Sequence, residues 1–216
     1  MDARRHWNDF GVNLAEQLIS ASSAPFPTTL GGVTVKLNGD PVPIIFVSQG
    51  QINIQVPFNA TAGPGVVEID NNGKVLTVSG IQINSVQPGV YEISVDGKTI
   101  AAALHQDGTL IRPTSPAIPG EVVQLFFTGA GALNPPVSTN QPGPTNPLPF
   151  TVEPVAVKLG GVEQEGFGSF YAPGLISANQ VNFRVGASEA AGDRELTLDM
   201  NGVISKTVIL PVGAAQ

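Results

Sequence analysis

Residues 51–73, QINIQVPFNATAGPGVVEIDNNG, return at 180–202 as QVNFRVGASEAAGDRELTLDMNG, with eight of the 23 positions identical and five of the others exchanging apolar for apolar. Upstream, VTVKLNG at 33–39 returns as VAVKLGG at 155–161, five of seven identical. The offset is 122 for the upstream match and 129 for the downstream one, so seven extra residues enter the second copy around GFGSFYAPG. One unit is duplicated, and what repeats within each copy is a period of two. Val33, Val35 and Leu37 alternate with Thr34, Lys36 and Asn38. Ile52, Ile54 and Val56 alternate with Gln51, Asn53 and Gln55, as Val181, Phe183 and Val185 do with Asn182 and Arg184. Alternation of this kind predicts half-buried strands of antiparallel sheets.

Turn signals separate the strands: Asn38-Gly39, Asn72-Gly73, Asp96-Gly97, Asp107-Gly108 and Asn201-Gly202. Both dipeptides accept the positive φ of tight hairpins. NGKVLTVSGIQI and NGVISKTVILPV then predict one closing strand per copy. The fold expected is all-β, two tandem immunoglobulin-like β-sandwiches with a hairpin-containing connector. The first spans 1–86, its first strand degenerate, and 87–216 holds the connector (87–116) and the second. Residues 12–29 read as a helical turn or two followed by a loop, and the proline-rich 134–150 as extended and irregular.

Composition agrees. Of 216 residues, 42% are hydrophobic and 12% charged, with 25 Gly and 19 Pro in no collagen-like period; this is the make-up of a loop-rich β protein. The formal net charge of −7 leaves no basic stripe for nucleic-acid phosphates and argues against anionic membrane surfaces. No apolar run is long enough for membrane insertion. Cysteine is absent, which excludes disulfides and thiolate sites. MDARRHWNDFGVNLAEQ has no apolar signal-peptide core, so the chain reads as cytoplasmic or as a piece of a longer exported protein.

Candidate chemistry is sparse. His6 lies in the leader and His105 beside a turn, where it reads as a polar turn residue; no nucleophile elbow, H-E-x-x-H helix or phosphate-binding loop occurs. The reading is not an enzyme, with no catalytic residue, no cofactor and no metal. Glu68, Asp70 and Asn72 have the spacing of the first calcium-loop ligands, but Ser79 stands where a bidentate Glu belongs, and the second copy puts Thr197 before Asp199 and Asn201. A hairpin explains both. Phe167, Phe170 and Tyr171 gather in the inserted segment, read as a loop, where they cover an open end of the sandwich or the interface between copies, or form a ligand-binding patch for sugar rings. Gln51 and Asn53, with Gln180 and Asn182, read as a repeated structural motif, their amides bonding to backbone of SSAPFPTTL (22–30) in one copy and of the proline-rich loop in the other.

Several stretches together resemble the uncharacterised C-terminal domain of predicted exported proteins of Acidobacteria, often called the Solibacter C-terminal domain. They are FGVNLA (10–15), LGGVTVKLNGDPVPIIFVSQGQINIQVPF (30–58), PGVY (88–91), AAALHQDGTL (101–110), SPAIPGEVVQLFFTGAG (115–131), VAVKLGG (155–161) and APGLISANQVNFRV (172–185). Each half also resembles the IPT/TIG type of immunoglobulin-like domain. MDARRHWND stands where such relatives carry a Pro-Gly turn and an apolar strand. The resemblance implies a modular protein outside the cell or on its surface, without established activity. Expected partners are other proteins or cell-surface glycans, through surface display, adhesion or protein–protein contact. A carbohydrate-binding module, or a passive scaffold for an upstream enzyme domain, are the other readings.

Overall fold

The computed structural model describes residues 13–214, and among them it contains strands, turns and irregular segments but no helix. The chain divides into two compact units. The first comprises residues up to Ser85 together with Val137–Pro142; the second comprises Val86–Pro136 and everything from Gly143 onward. The chain therefore leaves the second unit after Pro136, contributes six residues to the first, and returns.

In the first unit the strands are β1 (Ile19–Ser20), β2 (Thr29–Leu30), β3 (Val33–Leu37), β4 (Asp40–Pro41), β5 (Ile44–Val47), β6 (Ile52–Ile54), β7 (Gly63–Asn71) and β8 (Lys74–Ile83). One antiparallel sheet runs β1-β5-β6 and the other β2-β3-β7-β8, with β4 on β3. Alternation decides the faces. Val33, Val35 and Leu37 are buried, and they join Val67 and Ile69 of the same sheet and Ile44 and Val47 of the other in one core.

In the second unit β9 (Gly89–Val90), β10 (Glu92–Val95), β11 (Lys98–Ala101), β12 (Ala103–Leu104), β13 (Val122–Thr128), β14 (Leu133–Asn134) and β15 (Phe150–Thr151) come first. Then follow β16 (Ala156–Leu159), β17 (Val162–Glu163), β18 (Glu165–Tyr171), β19 (Asn179–Arg184), β20 (Gly192–Met200), β21 (Val203–Ile204) and β22 (Val208–Val212). One sheet runs β12-β13-β19-β18-β15-β14 with β9 on β13; another runs β17-β16-β20-β21 with β22 on β20; β10 and β11 form a separate hairpin.

The duplication holds at the level of register. Val35 faces Ile69 across β3 and β7, and the residues equivalent by the two sequence offsets, Val157 and Leu198, face each other across β16 and β20. β5 with β6 corresponds in the same way to β18 with β19. The turns explain why these registers are fixed. Asn38-Gly39, Asn72-Gly73, Asp96-Gly97 and Asn201-Gly202 all have positive φ at both residues, so the two-residue loop dictates which residues face each other.

Five expectations need correction. Residues 13–18 form no helical turn; after Asn13 the chain is irregular until β1, which is tied to β5 through Ile19 opposite Val47. Asp107-Gly108 is not a two-residue turn. Gly108 N–H donates to His105 O, His105 N–H donates to Thr109 O, and positive φ is confined to Gly108, the pattern of a three-residue loop. The closing strand of the second copy breaks at Ser205, whose Oγ accepts from Leu198 N–H at 2.9 Å and so replaces a ladder bond. Residues 134–150 are irregular as read, yet 137–142 belong to the first unit, so the first unit is not 1–86 alone. Finally, the repeated amides do not reach backbone of the irregular segments, as described next.

Candidate functional site

In the first unit Gln51 Nε2 donates to Asn53 Oδ1 at 2.7 Å, and in the second Gln180 Nε2 donates to Asn182 Oδ1 at 2.8 Å. Residues two apart on one strand share a face, so each pair closes on itself. In the second unit the chain of amides continues: Gln180 Nε2 also reaches Gln124 Oε1 on β13, and Gln124 Nε2 donates to His105 O. The contact with the proline-rich loop belongs to a neighbouring residue. Asn140 N–H donates to Gln55 Oε1, while its own side chain accepts from Phe26 N–H and donates to Phe26 O.

His105 has a place that its turn position did not announce. Its Nδ1 lies 3.1 Å from both carboxylate oxygens of Glu121, and its Nε2 lies 3.2 Å from Ser115 O and 3.3 Å from Ser115 Oγ. Serine, imidazole and carboxylate are the parts of an acyl-transfer triad. The Ser115 carbonyl, however, can only accept, so the ring nitrogen facing it is satisfied as a donor, whereas a general base needs a free lone pair there. Backbone N–H of Ser115, a potential oxyanion donor, is engaged by Arg112 O. The arrangement pins two turns, 105–109 and 112–115, to the start of β13.

The acidic turns are equally internal. Asp70 Oδ1 accepts from Gly73 N–H, and Asp199 Oδ1 accepts from Gly202 N–H. Lys158 Nζ donates to Asp199 Oδ2 at 2.9 Å; this bond, with the Gly202 N–H, holds the Asp199 carboxyl below its ordinary value of 3.8. Lys36 instead pairs with Glu68, its register partner on β7. Asn72 carries positive φ and donates to Asn71 Oδ1. Among the described residues no three acidic or histidine side chains converge as a cation site would require.

The inserted segment and β15 present aromatic surface in the second unit. The β18–β19 ladder shifts between Gly166 and Ser169, so Phe167 and Gly168 bulge from it. A bulge re-aims its side chains, and here Phe167 stands 45% exposed. Gly168 has φ of +97°, a backbone that side-chain-bearing residues rarely adopt, and a Cβ there would lie 3.8 Å from the Phe150 ring. Phe150, 49% exposed, packs edge-on against Phe170 at 6.0 Å between centroids. Arg184 places its guanidinium over the Phe167 ring, 5.2 Å from the centroid, while its Nε donates to Glu165 and its Nη1 to Gly120 O. Beside Phe150 lies a depression of about 280 Å³ floored by Gly166, Gly168 and Ser169.

Tyr171 is a correction to the sequence reading. It is fully buried at the end of β18, and its hydroxyl accepts from Ser177 N–H at 2.8 Å. Alternation from Ser169 places Tyr171 inward, and the bulge turns Phe167 out of that same phase, so the surface group is Phe150, Phe167, Phe170 and Arg184. Phe150 was missed because twenty residues of sequence separate it from Phe170; their contact comes from β15 pairing with β18, which places the two directly opposite. No family model and no curated protein matches the chain.

Proposed function

We propose that this chain is a non-catalytic binding module, a tandem of immunoglobulin-like (IPT/TIG-like) sandwiches whose second unit contacts another protein through Phe150, Phe167 and Arg184. Short antiparallel strands, two sheets sharing each core and the duplicated register support the immunoglobulin-like reading. The resemblance to the Acidobacterial exported domain supports a position at the cell surface.

The observation that carries the proposal is the pairing of Arg184 with the bulged Phe167. Exposed aromatic rings beside arginine are what protein interfaces concentrate at their centres. A depression of about 280 Å³ is small for a drug-sized ligand yet sufficient for one inserted side chain. Sugar recognition by the same patch is the second reading, and it is the weaker one. One face of Phe167 is occupied by the guanidinium, and Tyr171, a ring that sugar stacking would use, is buried. A photo-crosslinking phenylalanine analogue at position 167, exposed to cell-envelope extract, tests the two together. Polypeptide adducts that disappear on Phe150→Ala support the module. A glycan-array signal lost in Phe167→Ala, with no polypeptide adduct, overturns it in favour of sugar.

A further inference from the structure

The duplication supplies an internal control: where the two copies differ in charge, the shared framework does not account for the difference. A second cavity of the second unit, about 390 Å³, is lined by Glu163, Glu165, Arg184, Glu189 and Arg194. The places equivalent by the two sequence offsets hold Pro41, Pro43, Gln55, Ala60 and Gly65, none of them charged. The ladders agree with that equivalence. Glu163 faces Lys158 as Pro41 faces Lys36, and Arg194 faces Leu210 as Gly65 faces Ile81. In a chain with 12% charged residues, five charged side chains thus gather at one place in one copy alone.

The wall of the cavity is braced from several elements. Arg194 Nε donates to Glu189 Oε1 at 2.6 Å, and the Glu189 side chain is 7% exposed. A carboxylate this buried depends on its partner and in turn fixes it. Glu189 N–H donates to Gly186 O, which closes the turn that carries it. Gly160, with φ of +57°, stands where the first copy has Asn38, and a Cβ there would collide with Arg194 Nη2. Glycine at this place therefore goes with arginine at 194. Gln164 is buried and ties Gly186 to β17: its Oε1 accepts from Gly186 N–H at 2.7 Å and its Nε2 donates to Val162 O. Arg184 is fixed in the same manner, through Nε on Glu165 and Nη1 on Gly120 O.

Both guanidinium groups are anchored at Nε, with Nη donors left for a ligand. A planar fork recognises an oxyanion, and fixing it beforehand lowers the cost of binding. The surrounding charges narrow the class. Glu163 and Glu165 stand exposed with Gln164 buried between them, so an anion alone enters against two carboxylates. A cation alone meets two guanidinium groups. A molecule that carries both charges finds a partner for each. We propose that this cavity binds a small zwitterion, its oxyanion on Arg184 and Arg194 and its ammonium on Glu163 and Glu165. The volume lies at the lower end for ligand sites, which suits an amino acid, a dipeptide or a phosphoethanolamine group. Arg184 belongs to this cavity and to the aromatic patch alike, but zwitterion binding does not depend on what that patch contacts.

Heteronuclear NMR of the full chain, read at the Nε–H resonances of Arg184 and Arg194, tests this. The probes are alanine, alanyl-alanine and phosphoethanolamine, with acetate and ethylamine as the two charges taken singly. At least one zwitterion is expected to give saturable shifts, at concentrations several-fold below those at which acetate or ethylamine act. A preference for alanine or its dipeptide assigns the oxyanion to a carboxylate, and a preference for phosphoethanolamine assigns it to a phosphate. Glu163→Gln and Arg194→Lys should each raise the dissociation constant several-fold; lysine keeps a cation for Glu189 and removes the fork. Backbone spectra unchanged away from the cavity establish that the variants fold, and Glu163→Gln, at an exposed position, decides if Arg194→Lys does not. No saturable shift with any zwitterion, acetate or ethylamine binding as tightly, or affinities indifferent to substitution would each overturn the proposal.

Discussion

Asp199 shows how one residue is held by two demands. One carboxylate oxygen accepts from Gly202 N–H and shapes the turn; the other accepts from Lys158 and ties β16 to β20. A carboxyl whose folded pKa is lowered contributes stability above its unfolded value and loses it as pH falls through the folded one. The stability of the second unit is therefore expected to decline as pH drops below the ordinary 3.8. Asn at this position keeps the acceptor for Gly202 and removes the charge. Thermal melts of Asp199→Asn and parent should thus differ at neutral pH and converge in acid; a constant difference would refute the assignment. His105 makes the complementary case. His105→Ala leaves the largely buried Glu121 carboxylate without its partner, an expected loss of about 1–3 kcal/mol in urea unfolding. The turn itself was legible in Asp107-Gly108, but the pin was not. Glu121 lies sixteen residues away, and alternation says which face a side chain takes, not which distant carboxylate meets it.

At the scale of the element, the duplicated strand is the informative comparison, because equivalent residues sit in different company. β19 is flanked on both sides and Phe183 is fully buried, whereas among the described residues β6 pairs with β5 and Ile54 is half-buried. Truncating a buried Phe to Ala ordinarily costs about 3–5 kcal/mol, transfer and cavity together. Phe183→Ala is expected in that range. Ile54→Ala should cost roughly half as much or less, since half-exposed atoms lose little on removal. Equilibrium unfolding of the two variants measures this, and equal losses would mean that Ile54 is as tightly enclosed as Phe183. The period of two made both strands readable from sequence, and in β19 the identity of the inward residues; past Ile54 it failed in the first copy, where Gln55 is buried and Val56 exposed. It carried no information about whether a neighbour lies beyond, because strand addition is a property of the sheet rather than of the strand. The bulge at Phe167 and Gly168 was not legible: by the upstream offset these residues match Ile45 and Phe46, where the first ladder also shifts, so they are not the extra residues, and the shift turns Phe167 outward while leaving Tyr171 inward.

For the whole molecule, the question is what makes each unit complete. The repeat suggests a cut near residue 86, and the backbone does pass from one unit to the other between Ser85 and Val86. Yet Val137–Pro142 belong to the first unit, more than fifty residues beyond that point. Their attachment is specific. Asn140 spans Phe26 N–H, Phe26 O and Gln55 Oε1, and Thr139 Oγ1 accepts from Phe58 N–H. Asn140 also carries a φ of 66°, which asparagine tolerates better than most residues. Nothing local announces such a tie, since proline-rich sequence specifies extended backbone and not its destination. Asn140→Ala removes two side-chain bonds at about 1 kcal/mol each and disfavours the positive φ. It should lower the unfolding midpoint of the first unit and leave that of the second unchanged. A fragment of residues 1–86 lacks the whole segment and should be less stable still, with partial recovery on adding a peptide of residues 136–143. Chemical unfolding followed by hydrogen exchange, which reports the two units separately, distinguishes the outcomes. A fragment as stable as the first unit in the full chain would show that the segment rests on a unit already complete. Destabilisation reversed by the peptide would show that the first half of the duplication is finished only by sequence inserted in the second.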